Sequence, residues 1–129
     1  MNGSRAHKIL IVDDNEVAAN VLGKLLTFKG YTVERAYTGK DALRAAARFD
    51  PNIALVDIGL PDISGYDIAR KLRGDNTPAL LVALTGFGQE SDKEKAKEAG
   101  FDHHLTKPIG IAELESVFST QKSPAAARS

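Results

Sequence analysis

Three short runs of apolar residues constrain this chain most: 9–12 (ILIV), 53–56 (IALV) and 79–84 (ALLVAL). None alternates with polar residues, so both faces of each run must be buried. A strand buried on both faces belongs in a parallel sheet with helices packed on either side. Parallel strands also need long crossover connections, and the chain supplies segments of helical period between the runs.

The first such segment carries Val17, Val21, Leu25 and Phe28 at helical spacing, with Asn15 placed as an N-cap and Gly30 as the C-terminal stop. Residues 31–36 read as a short second strand, favoured by Thr32 and Val33. Thr38 and Asp41 form a variant capping box ahead of Ala42, Leu43, Ala46 and Phe49, and Pro51 ends that helix. Ile68, Ala69 and Leu72 mark a third helix after the turn-rich IGLPDISG. A polar helix, DKEKAKEAG, stops at Gly100; HHLT is a weak fifth strand; Ile111, Leu114, Val117 and Phe118 give the last helix. The expected fold is therefore α/β: a flavodoxin-like (βα)5 unit, doubly wound, with a five-stranded parallel sheet in the order 2-1-3-4-5.

With 129 residues, the chain is expected to form one domain over residues 7–120. Residues 1–6 are short and polar, a disordered natural start or an addition at cloning, and 121–129 read as a flexible tail. Lys plus Arg and Asp plus Glu both number 17. That balance provides no basic field for nucleic acid or an anionic membrane, so contact with neither is expected. Cysteine is absent, which removes disulfides and thiolate metal sites and suits the cytoplasm. No apolar run approaches the roughly 20 residues of a membrane helix.

Ligands of open parallel sheets bind beyond the carboxyl ends of the strands, where strand order reverses. At those ends stand Asp13 and Asp14 after the first strand, Asp57 after the third, Thr85 after the fourth and Lys107 after the fifth. The second strand contributes only the uncharged Tyr37 and Thr38. Three converging carboxylates need cationic compensation, and Lys107 supplies one charge. A hard divalent cation, Mg²⁺ or Mn²⁺, would supply the rest through oxygen ligands. Zinc is a poor candidate, since there is no cysteine and His103 and His104 lie on the weakest strand. A carboxylate beside such a cation and an ammonium can act as a nucleophile toward a phosphoryl group. Thr85 could then donate to a phosphoryl oxygen, with Gly86 leaving room.

Together, VDDNE, LVDIGLPDISGYD, ALTG and LTKP resemble the receiver domain of bacterial two-component response regulators, CheY-like proteins, over about residues 7–120. The resemblance implies that Asp57 accepts phosphate from a histidine kinase or a histidine phosphotransfer protein. It implies that Asp13, Asp14, Asp57 and the backbone carbonyl of Gly59 hold the metal. It makes Thr85 the switch hydroxyl and Lys107 the conserved lysine, with a cis bond to Pro108. Many receivers carry Tyr or Phe three residues before that lysine, as a second switch element. Here the position is His104, which could make the coupling pH-sensitive. The residues two past Asp57 and Thr85, positions that influence phosphate lifetime, are Gly59 and Phe87. The fourth helix, fifth strand and fifth helix would form the output surface for a downstream protein.

Singly, each of these residues has an ordinary role: Asp13 or Asp14 as a helix cap, Asp57 in a turn, Thr85 as a strand-end hydroxyl, Lys107 as a solvated lysine. Their convergence on one edge favours a phosphorylation switch, a signalling module whose chemistry is limited to its own phosphorylation and dephosphorylation. It could stand alone or be the receiver of a hybrid histidine kinase, whose loops look similar. An aspartyl-phosphate phosphatase or phosphotransferase of the haloacid-dehalogenase type fits less well. That class spaces its aspartates as D-x-D and carries a cap domain. A flavodoxin-type cofactor site fits less well too, because VDDNE would repel a phosphate.

Overall fold

The structure is a computed structural model that describes residues 7–86 and 93–120. Strands and helices alternate through these residues: β1 (Lys8–Val12), α1 (Glu16–Phe28), β2 (Thr32–Ala36), α2 (Gly39–Phe49), β3 (Ile53–Asp57), α3 (Gly65–Gly74), β4 (Leu80–Thr85), α4 (Lys93–Ala99), β5 (His103–Thr106) and α5 (Ile111–Phe118). The expectations for the N-terminal stretch, the Phe87 loop and the C-terminal tail fall outside the described residues.

All five strands pair in parallel, in the order β2-β1-β3-β4-β5. The sheet is doubly wound, as the apolar runs require. Leu10, Val12, Ala54, Val56, Leu81 and Ala83 meet α2, α3 and α4 on one face. Ile9, Ile11, Ile53, Leu55, Val82 and Leu84 meet α1 and α5 on the other. This alternation follows from the twofold side-chain period of a strand, and it explains why a run such as ILIV carries no polar position.

The helix ends are closed by local chemistry. Asn15, Thr38 and Ser64 each accept a hydrogen bond from the amide three residues on, at 3.0–3.1 Å. Gly30, at φ 104°, ends α1, with the Tyr31 amide donating back to Leu26 and the Gly30 amide to Thr27. This left-handed Schellman cap takes Tyr31 out of the second strand, which begins at Thr32.

The apolar spacing located α1 correctly, but its marker residues face outward. Val17, Val21, Leu25 and Phe28 are 73%, 55%, 46% and 89% exposed. The buried positions are Ala19, Gly23 and Leu26. Gly23 leaves room for the Arg35 guanidinium, which a Cβ there would meet.

Candidate functional site

The order of the strands reverses between β1 and β3, and the crevice at their carboxyl ends collects the charged residues. Four apolar residues carry β1 to its end, so Asp13 emerges at the rim still buried while Asp14 is exposed. In the register of the sheet, Val12 pairs with Val56 and Asp57 with Leu84, which sets the Asp57 carboxylate beside the acidic pair. Ligand oxygens from Asp13, Asp14 and Asp57 lie within 4.8 Å of one another.

Lys107 closes the site from the end of β5. Its Nζ donates to Asp13 Oδ2 at 2.7 Å and to Asp57 Oδ2 at 3.1 Å. Each carboxylate has its other oxygen bonded locally: the Asn15 amide donates to Asp13 Oδ1 at 3.0 Å, and the Gly59 amide to Asp57 Oδ1 at 2.8 Å. Burial pulls the Lys107 ammonium down, but its hydrogen bond to Asp13, the charge of Asp57, its hydrogen bond to Asp57 and the charge of Asp13 outweigh it and hold the lysine above its usual range. The ammonium thus stays charged at neutral pH. Its bond to Pro108 is cis.

Three carboxylates against one ammonium leave a formal charge of −2 in this small volume. The donors are all oxygens, two of the three groups are buried, and Asp14 opens to solvent. That set fits a hard divalent cation that keeps some of its water, and it does not fit a soft or imidazole-bound metal.

Thr85 is buried at the end of β4, 1% exposed. Its hydroxyl is 3.4 Å from both the Leu105 carbonyl and the Thr106 hydroxyl, long for bonds of this type and readily exchanged for a better acceptor. His104 is half-buried on β5, and its Nε2 is buried without a hydrogen-bond partner among the described residues. His103 points to the opposite face, against Thr120 at 2.9 Å. Neither histidine joins the carboxylate cluster.

Two surface features adjoin the site. A mainly apolar groove of about 540 Å³ runs from Asp13 and Lys107 over Pro108 and Ile109 to Val21 and Leu25 of α1. A wider cleft of about 970 Å³ lies along β5 between α4 and α5, with Lys93, Lys97, His103, His104 and Glu113 among its lining residues. The sequence reading did not find the groove, because it depends on which face of α1 turns outward, here the one carrying Val21 and Leu25. It also missed Asp62, whose carboxylate bonds two amides of α2. Only the fold brings those segments together.

A five-stranded doubly wound sheet with an acidic cluster and a lysine at its reversal point defines a receiver-type module, and comparison with known proteins agrees. The family model of the response regulator receiver domain matches residues 9–119. The chain belongs to this family. It is 43% identical over 106 residues to the transcriptional regulatory protein KdpE of Mycobacterium tuberculosis, covering 82% of this chain and 46% of that protein. It is 37% identical over 107 residues to the transcriptional regulatory protein CusR of Escherichia coli, covering 83% and 47%. The chain therefore spans about half the length of these curated relatives. Among solved structures, a CheY-like receiver domain from Methylobacillus flagellatus matches with a TM-score of 0.81 at 32% identity, over 92% of this chain and all of that one (100%). One from Methanospirillum hungatei matches with a TM-score of 0.83 at 28% identity, over 90% and 93%.

Proposed function

We propose that this chain is the phosphoacceptor module of a two-component phosphorelay, with Asp57 as the acceptor. The observation that carries the reading is the Lys107 ammonium bridging Asp13 and Asp57, beside the exposed Asp14. An Asp57 carboxylate oxygen attacks the phosphorus of a phosphohistidine. The new P–O bond forms as the P–N bond breaks, and the imidazole leaves with the electron pair and takes up a proton. Hydrolysis by water later returns the carboxylate and inorganic phosphate. Lys107 offsets charge on the transferring group, and Thr85 turns its weakly held hydroxyl toward the new phosphoryl oxygen. Asp13, Asp14, Asp57 and the Gly59 carbonyl are the proposed ligands of Mg²⁺ or Mn²⁺, which when bound would neutralise the remaining charge of the site.

The donor is a histidine kinase or a histidine phosphotransfer protein. The apolar groove supports a donor contact across α1, because it leads directly to Asp13 and Lys107. Phosphorylation adds charge at Asp57, draws Thr85 and Lys107 toward it and biases the α4-β5-α5 surface, with His104 as the second switch residue. The cleft along β5 supports that surface as the place where a downstream protein reads the state.

The named relatives are transcriptional regulatory proteins, which favours a response regulator over a hybrid kinase. The balanced charge of the chain leaves DNA contact to other parts of such a protein. Among the described residues, no helix is long and apolar enough to cross a membrane, which accords with action in the cytoplasm. The test is incubation with phosphoramidate and Mg²⁺, then borohydride reduction and peptide mapping. Reduction of the acyl phosphate to homoserine at position 57 is expected. Homoserine at Asp13 or Asp14, or at no position, would overturn the assignment.

A further inference from the structure

The loop between β3 and α3 carries Gly59, whose amide holds Asp57 Oδ1 at 2.8 Å. At its base, the Gly65 amide donates to the Ile58 carbonyl at 3.2 Å and the Ile58 amide to the Leu84 carbonyl at 3.1 Å. At its tip, the Asp62 carboxylate crosses to the start of α2. Asp62 Oδ1 accepts from the Gly39 amide at 2.8 Å, and Oδ2 accepts from the Lys40 amide at 3.1 Å.

The amides of a first helical turn have no partners within the helix. In α2 they divide between two residues. Thr38 takes the Asp41 amide from its own segment, and Asp62 takes the Gly39 and Lys40 amides from a separate loop. A cap from the adjacent chain fixes only the helix; one from 22 and 23 residues away also fixes the loop that supplies it. The approach is close. A Cβ on Gly39 would lie 2.7 Å from Ile63 Cβ and 3.2 Å from Asp62 Oδ1, so the glycine is what allows this contact. The Gly39 amide does most to hold the Asp62 carboxyl below its ordinary range, opposed by desolvation and aided by the amides of Lys40, Ile63 and Asp62 itself.

We propose that Asp62 is a positioning residue for the acceptor site: by clasping α2 it fixes the loop that presents Gly59 to Asp57 and to the metal. The inference rests on the phosphoacceptor reading, and its effect runs through the Gly59 backbone, with no contact between Asp62 and the reacting groups.

The experiment compares wild type, Asp62→Ala, Asp62→Asn and Thr38→Ala. Three quantities are read: Gly59 amide exchange without metal, the Mg²⁺ dissociation constant by calorimetry, and the urea midpoint. Asp62→Ala is expected to speed Gly59 exchange and to weaken Mg²⁺ binding roughly tenfold, a loss of the size seen when residues supporting a metal ligand are removed. Asp62→Asn keeps an acceptor oxygen and should fall between the two. Thr38→Ala removes the other cap of the same helix, so it should lower the urea midpoint and leave Gly59 exchange and Mg²⁺ affinity at wild-type values. Unchanged exchange and affinity in both Asp62 variants would overturn the proposal. So would a Thr38→Ala loss equal to that of Asp62→Ala, since the contact would then serve only helix stability. Wild-type protein that binds no Mg²⁺ would instead overturn the phosphoacceptor reading, and this inference with it.

Discussion

Lys107 is the residue on which the site turns. Its ammonium is the cation shared by two largely buried carboxylates, so Lys107→Ala leaves both without that partner. The expected cost in metal-free protein is about 1–3 kcal/mol by urea unfolding. Mg²⁺ should recover part of it, since a ligand that binds the folded state at about 100 times its dissociation constant adds roughly 2.7 kcal/mol. An unchanged urea midpoint in Lys107→Ala would show that the bridge contributes nothing. Asp62 makes a separate, pH-dependent prediction. Its folded pKa lies below its unfolded one, so its stabilising effect is present above the unfolded value of about 3.9 and is lost as pH falls through the depressed folded value. The stability gap between wild type and Asp62→Asn should hold from pH 7 to 5 and close only under more acid conditions. Closure near pH 6 would contradict the account. Asp57 was legible in the sequence because it stands at the end of an apolar run that announces a strand, and Lys107 because LTKP carries the family resemblance where the strand before it is weak. Asp62 was not, because its partners are set by tertiary approach and no local pattern records them.

At the scale of elements, α1 is the most informative. An apolar stripe at helical spacing ordinarily marks the face turned to the core. Here Ala19, Leu22, Gly23 and Leu26 make that contact, and Val17, Val21, Leu25 and Phe28 line the outside. Periodicity therefore identified the helix but did not assign its faces, since both the core side and the outer side carry apolar residues at helical spacing. The exposed stripe is the proposed donor contact. Val21→Asp and Phe28→Asp should shift the urea midpoint little, within about 0.5 kcal/mol, because neither side chain is buried. Both should leave phosphorylation by a small-molecule donor at the wild-type rate and slow transfer from a phosphorylated histidine kinase. Equal transfer rates with the kinase would remove α1 from the donor interface.

At the scale of the whole molecule, a second charged network sits at the end of the sheet opposite the chemistry. Where β4 and β5 begin, Arg73 donates to the Gly100, Thr77 and Ala79 carbonyls and to Asp102 at 2.7–2.9 Å. Asp102 in turn accepts from the Leu81 amide at 2.8 Å. This network ties α3 to the entry of both strands, far from the carboxyl ends that hold Asp13, Asp57 and Lys107. Arg73→Ala should cost about 2–3 kcal/mol in urea unfolding, since several charge-assisted bonds are lost at once, while Mg²⁺ affinity remains that of wild type. A matching loss of Mg²⁺ affinity would show that the two ends are coupled. The parallel sheet was legible for the same reason that the ends are distinct. Runs buried on both faces demand a parallel sheet, and a parallel sheet places every strand's carboxyl end on one edge.

The central claim is that Asp57 takes up a phosphoryl group in a metal-dependent reaction. The most direct measurement is intact mass after incubation with acetyl phosphate, with and without Mg²⁺, for wild type and Asp57→Asn. The account predicts a gain of about 80 Da, one phosphoryl group, only in wild type with Mg²⁺. The same gain in Asp57→Asn, or no gain in wild type despite bound Mg²⁺, would contradict it.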